Sequence, residues 1–156
     1  GLTLSQGASL MSMYGASAIA GALLLAWLGD RFNRLMLMAV LIGLFALSGT
    51  SLLLANSYTA VLGCTAVFGL IAGMITPASL ALMADRFGAA SFGTANGTAS
   101  FLSTIISAGC IRAAGDMFDR TGSYRLTFLS MGVIGIFAML MILTTNPLSR
   151  PIARQA

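Results

Sequence analysis

Along this chain apolar residues come in long runs, and the charged residues collect between them. A membrane-crossing helix needs about 20 mostly apolar residues. Runs of that length cover residues 8–28, 35–54, 59–83, 93–114 and 126–145. Helix is the state they predict, since barrel strands would alternate in polarity and unpaired backbone in hydrocarbon is too costly. The pattern therefore predicts an all-α integral membrane protein, a bundle of five transmembrane helices. The connections read as short: Asp30 to Arg34, Asn56 to Tyr58, Asp85 to Ala90, and Gly115 to Arg125.

Composition points the same way. Hydrophobic residues make up 58% and charged residues 8%, where a soluble domain carries roughly 25% charged residues. The surface is built for a lipid bilayer. The net charge of +4 raises nucleic acid as a partner, but the arginines stand at the ends of apolar runs and form no basic patch, which excludes it. Cys64 and Cys110 lie inside apolar runs and read as small packing residues, not as a disulfide or metal pair. The chain has no Lys, Glu or His, and no Asp stands beside a candidate nucleophile in a span. Enzyme chemistry, a metal and a cofactor are all unexpected.

Arginine placement sets the orientation. Arg31, Arg34, Arg86, Arg150 and Arg154 fall on one side, and Arg112, Arg120 and Arg125 on the other. The richer side is expected to be cytoplasmic, with the C-terminus inside and the protein in the cell inner membrane. The chain opens on Gly1 and has an odd number of runs, so a longer native chain is expected.

Two stretches carry a resemblance. WLGDRFNR, residues 27–34, with Ala26 before it, resembles the cytoplasmic signature G-x-L-x-D-R-x-G-R-R of the major facilitator superfamily. Leu28, Asp30, Arg31 and Arg34 fit. Ala26, Asn33 and Leu35 depart from it, and Asn33 is expected to keep the glycine's left-handed turn. GDMFDRTGSYRLTF, residues 115–128, resembles the segment before the last helix in the monocarboxylate and oxalate/formate branch. Gly115, Asp119, Thr121, Gly122, Ser123, Tyr124, Arg125 and Phe128 match. Cys110 after Gly109 departs from a usual proline, and residues 92–97, FGTANG, resemble the entry to the penultimate helix. The resemblance implies that residues 1–156 are a partial C-terminal domain, helices eight to twelve of a twelve-helix transporter. Its partner would be the N-terminal half, with helix seven, of the same transporter. GDMFDRTG repeats, three spans on, the G-x-x-x-D-R-x-G pattern that the first loop carries with Ala26 and Asn33 in place of the glycines, which fits inverted three-helix repeats.

The implied function is transport of a small organic anion, mono- or dicarboxylate-like, through a cavity at mid-membrane between the halves. A polytopic assembly or receptor protein without transport is the alternative. Asp30, Arg31 and Arg34 form the implied cytoplasmic gate motif. Asp119, Gly122, Tyr124 and Arg125 form the outer loop motif. In the fourth run Asn96, Ser100, Ser103 and Ser107 share one narrow stripe at 100° per residue. They either line the cavity or bond within and between helices; runs two and five have no such stripe and read as lipid-facing. Arg112 is a candidate because cations inside membrane helices carry function. It lies roughly 150° from the stripe, however, and Asp116 is placed to pair with it. Pro77, after Gly69 and Gly73, predicts a kink that serves packing or gating.

Overall fold

The computed structural model describes residues 3–29 and 31–144. Its helices run α1 Leu4–Leu28, α2 Arg34–Ser51 with a 3-10 turn at Leu52–Leu54, α3 Tyr58–Thr121 and α4 Arg125–Thr144. All four are long and apolar enough to cross a membrane.

The described residues thus form four helical elements where five runs were expected, and the third element is two helices joined across a kink. The expected third and fourth spans, with the connection from Asp85 to Ala90, form one 64-residue element interrupted at Gly88 (φ 67, ψ 172). That backbone region is essentially reserved for glycine. One residue makes the break and its polar neighbours stay helical. Residues 58–87 and 89–121 are called the first and second arms below.

The break reverses the chain. Asp85, near the end of the first arm, pairs with Arg34 at the start of α2. Arg125, just past the second arm, lines a pocket with Leu54 at the other end of α2. The second arm therefore runs back along the direction of α2.

Local chemistry places the helix ends. Thr3 and Gln6 form a reciprocal capping box, so α1 begins at Leu4 and not at residue 8. Asn33 is extended (φ −60, ψ 117), and its side chain accepts from the Leu35 and Met36 N–H groups. Its expected left-handed turn is corrected: the asparagine works as an N-cap. Ser57 caps α3 by accepting from the Ala60 N–H. The second arm continues to Thr121, which shortens the connection expected from Gly115 to Arg125 to residues 122–124.

Small residues decide the packing. Between α1 and the first arm, Gly21 faces the Leu70 carbonyl and Gly73 the Ala18 carbonyl. A Cβ at Gly69 would stand 2.6 Å from the Tyr14 oxygen. Only glycine permits this backbone approach, the usual route to association where lipid removes the hydrophobic drive. On the other side, Gly132 and Gly135 of α4 face Thr50 and Ala46 of α2.

Helix α2 therefore lies between the first arm and α4, with Ala39, Leu41, Ala46, Ser48 and Gly49 buried. The expectation that the second run faces lipid is corrected. A polarity pattern cannot see a seam built from alanine and glycine. Leu25, Leu41, Ile71 and Ala78 form the core where α1, α2 and the first arm meet, with Leu37, Phe45 and Met74 around it. Gly132 is the one buried residue of α4. The second arm stands apart: every residue from Ser100 to Ala113 is exposed.

Candidate functional site

The charged end of the bundle is built from two turns. Trp27 in the last turn of α1 lies under the Arg31 guanidinium, 4.5 Å from its ring centre, a cation–π contact. Asp30 lies outside the described residues. Arg34 opens α2 directly after the Asn33 cap. Its Nη1 donates to Asp85 Oδ1 at 2.9 Å and to the Ala81 carbonyl at 3.4 Å. The gate-motif arginines Arg31 and Arg34 thus stand at one end of the helices, with Asp85 as a member that the sequence reading placed in a loop. Arg34 and Asp85 are 51 residues apart, and no local spacing announces the pair.

At the opposite end the residues of the outer loop motif each have a local task. Thr121 Oγ1 lies 2.7 Å from the Met117 carbonyl and 2.9 Å from the Ser123 carbonyl, and it accepts from the Ser123 N–H. Gly122 takes the left-handed conformation (φ 66, ψ 12), and its N–H returns to the Phe118 carbonyl. This closes the helix in the manner of an αL cap. Ser123 Oγ then accepts from the Arg125 N–H, and the Tyr124 carbonyl accepts from the Phe128 N–H at the start of α4. Tyr124 stacks on Phe118 with ring centres 4.5 Å apart. Asp119 and Arg125 are exposed at this turn.

On the second arm, Ser100, Ser103, Ser107 and Arg112 are exposed and Asn96 is half-buried. The Asn96, Ser100, Ser103 and Ser107 side chains make no hydrogen bond among the described residues. Thr98 and Thr104, by contrast, donate to the carbonyls of Thr94 and Ser100 at 2.9 Å. Arg112 Nε reaches Asp116 Oδ1 at 3.3 Å, an i,i+4 pair in the open.

The structure gathers a different set at the reversal. Met83 and Phe87 of the first arm and Ser91, Thr94, Thr98 and Leu102 of the second line an open groove of about 610 Å³. At 100° per residue this face lies on the far side of the arm from the Asn96–Ser107 stripe. The stripe and the groove are therefore separate surfaces. Thr94 and Thr98 fall in the fourth apolar run, off its Asn96–Ser107 stripe. What marks them is proximity to Met83 and Phe87, which depends on the reversal at Gly88. Cys64 is half-buried, Cys110 is exposed, and both are free thiols. Among the described residues no cluster of three or more His, Cys, Asp or Glu is placed to hold a metal.

No protein with a curated description matches the chain. The family model of the Major Facilitator Superfamily matches residues 1–155. Long apolar helices packed through glycine seams, a charged turn at one end and a tightly bonded turn at the other accord with that match. The chain belongs to the major facilitator superfamily and is an integral membrane protein of that family of transporters.

Proposed function

We propose that the chain is part of the C-terminal half of a secondary transporter that moves a small organic anion by alternating access. The N-terminal half of the same transporter supplies the other wall of the cavity. The observation that carries the substrate class is the turn at Thr121 to Arg125. Its sequence resembles the monocarboxylate and oxalate/formate branch, and four of its residues are held in place by the bonds described above. The free hydroxyls of Ser100, Ser103 and Ser107, on the stretch of the arm from Ser100 to Ala113 that is exposed throughout, support a wall facing water and substrate. The Arg112–Asp116 pair favours an interfacial role for that arginine over direct anion binding. The arginine distribution supports a cytoplasmic C-terminus and residence in the cell inner membrane.

Uptake by the full-length transporter in proteoliposomes tests the proposal. Saturable uptake of a radiolabelled monocarboxylate or dicarboxylate, accelerated by the same anion trapped inside, is expected. Saturable flux of a neutral sugar or an organic cation, with none of a carboxylate, overturns the substrate class.

A further inference from the structure

Arg34 lines two adjoining cavities of opposite character. One is a shallow polar site at the end of the bundle, shared with Asn33, Asp85 and Arg86. The other is a cleft of about 200 Å³ beneath it, walled by Leu25, Ala26, Leu37, Pro77 and Ala78. Along α1 the cleft extends from Gly29 to Ala22, about 10 Å at 1.5 Å per residue. Its walls are otherwise apolar, and Ala26 on its rim is exposed in this chain.

The level at which the two meet is fixed independently. Trp27 is 63% exposed and carries Arg31 on its ring face. An exposed tryptophan paired with arginine at a helix end marks the boundary between headgroups and acyl chains. The polar site therefore lies at headgroup depth and the cleft at acyl depth. In sequence the two turns there hold Arg31, Arg34 and Arg86 against Asp30 and Asp85, an excess of positive charge. A guanidinium offers five donors in a fixed fork, so an arginine that holds a carboxylate still presents N–H groups to a phosphate.

We infer that the ends of α1, α2 and the first arm of α3 form a binding site for one anionic phospholipid. The phosphate would sit at Arg34 and Arg86 with Arg31 at the rim, and one acyl chain would enter the cleft past Ala26. Basic pockets between membrane helices suit such headgroups. The site does not depend on the identity of the transported substrate.

Native mass spectrometry of the full-length transporter, released from mixed phosphatidylglycerol and phosphatidylcholine micelles, tests it. Wild type is expected to retain phosphatidylglycerol in preference to phosphatidylcholine. The double variant Arg31→Gln, Arg86→Gln should lower that preference by about fivefold for each arginine. It leaves the Arg34–Asp85 bridge in place. Ala26→Phe, which fills the cleft from its exposed rim and changes no charge, should lower retention of phosphatidylglycerol as well. Inorganic phosphate at millimolar concentration should not displace the lipid. Equal retention of the two lipids by wild type, or undiminished preference in either variant, overturns the site. So does displacement by phosphate alone, which would reduce it to an anion site without an acyl cleft. Size-exclusion elution matching wild type establishes that each variant is folded.

Discussion

Arg34 and Asp85 bridge the start of α2 and the end of the first arm of α3 at 2.9 Å, three residues before the chain reverses at Gly88. Their side chains are 38% and 52% exposed, a setting in which an ion pair contributes about 0–1 kcal/mol. A double-mutant cycle with Arg34→Gln and Asp85→Asn, read by detergent-induced unfolding, should give a coupling below about 1 kcal/mol. A coupling of several kcal/mol would mean that the pair is shielded from water in the membrane.

The glycine seam makes a sharper demand. Gly73 faces the Ala18 carbonyl, whereas Gly63 on the same arm has nothing within 4 Å. Gly73→Ala should destabilise the protein by about 1–3 kcal/mol through overpacking. Gly63→Ala should be neutral or stabilising by about 0.4–1 kcal/mol. Thermal unfolding in detergent compares the two, and equal effects would remove the seam as an explanation.

Gly88 and Gly122 both have positive φ, at 67° and 66°, but ψ separates them, 172° against 12°. Asparagine tolerates the second conformation and not the first. Gly122→Asn should cost less than about 1 kcal/mol, and Gly88→Asn about 1–3 kcal/mol. Unfolding midpoints of the two variants in one detergent check the order; the reverse order contradicts it.

Hydropathy revealed the helices because span length is set by bilayer thickness, and α1, α2 and α4 lie close to the apolar runs that predicted them. It failed at Asp85 to Ala90. Charge beside glycine reads as a loop, yet a single residue in a glycine-only conformation reverses the chain while Asp85 and Arg86 remain helical. The outer turn was legible as a motif, but the task of each residue needed coordinates: Thr121 and Ser123 act through the backbone. The placement of α2 between two neighbours was illegible, because Ala46, Gly49, Gly132 and Gly135 carry no polarity signal.

The hydroxyl stripe gives a labelling prediction. With Cys64 and Cys110 removed, single cysteines at Asn96, Ser100 and Ser103 of the full transporter should react with a membrane-impermeant thiol reagent. Cysteines at Phe101 and Ile105, which are 66% and 55% exposed in this chain, should not react if that side meets lipid. Reaction at Phe101 and Ile105 alone would show that the arm is turned the other way.

Asp116 and Asp119 lie near the Gly122 end of the second arm, and mid-membrane acids are what proton relays normally use. Asp116→Asn with Asp119→Asn should leave any pH dependence of uptake unchanged in proteoliposomes. Its loss in this variant would place the relay in these two residues.

Asp30 follows α1, where the helix dipole disfavours an anion. The family resemblance implies a partner for it, the N-terminus of a helix in the other half when the cytoplasmic side is shut. Such a contact contributes roughly 0.3–1 kcal/mol, enough to shift a balanced population by up to about fivefold. Asp30→Asn should slow transport without changing insertion or orientation. Cross-linking across the cytoplasmic side at wild-type frequency in the variant would leave Asp30 a topology marker only.

The second arm has a mechanical character that its neighbours lack. At 1.5 Å per residue, residues 89–121 make a rod roughly 50 Å long. One end is tied by a single residue to the Arg34–Asp85 bridge, and the other by the bonded turn at Gly122 to α4, which α2 grips through Gly132 and Gly135. Between those ties, every residue from Ser100 to Ala113 is exposed among the described residues. A beam held at both ends responds to whatever bears on its exposed middle by bowing or rolling about its own axis more readily than by swinging. Any load on its midpoint is delivered to both faces of the membrane at once.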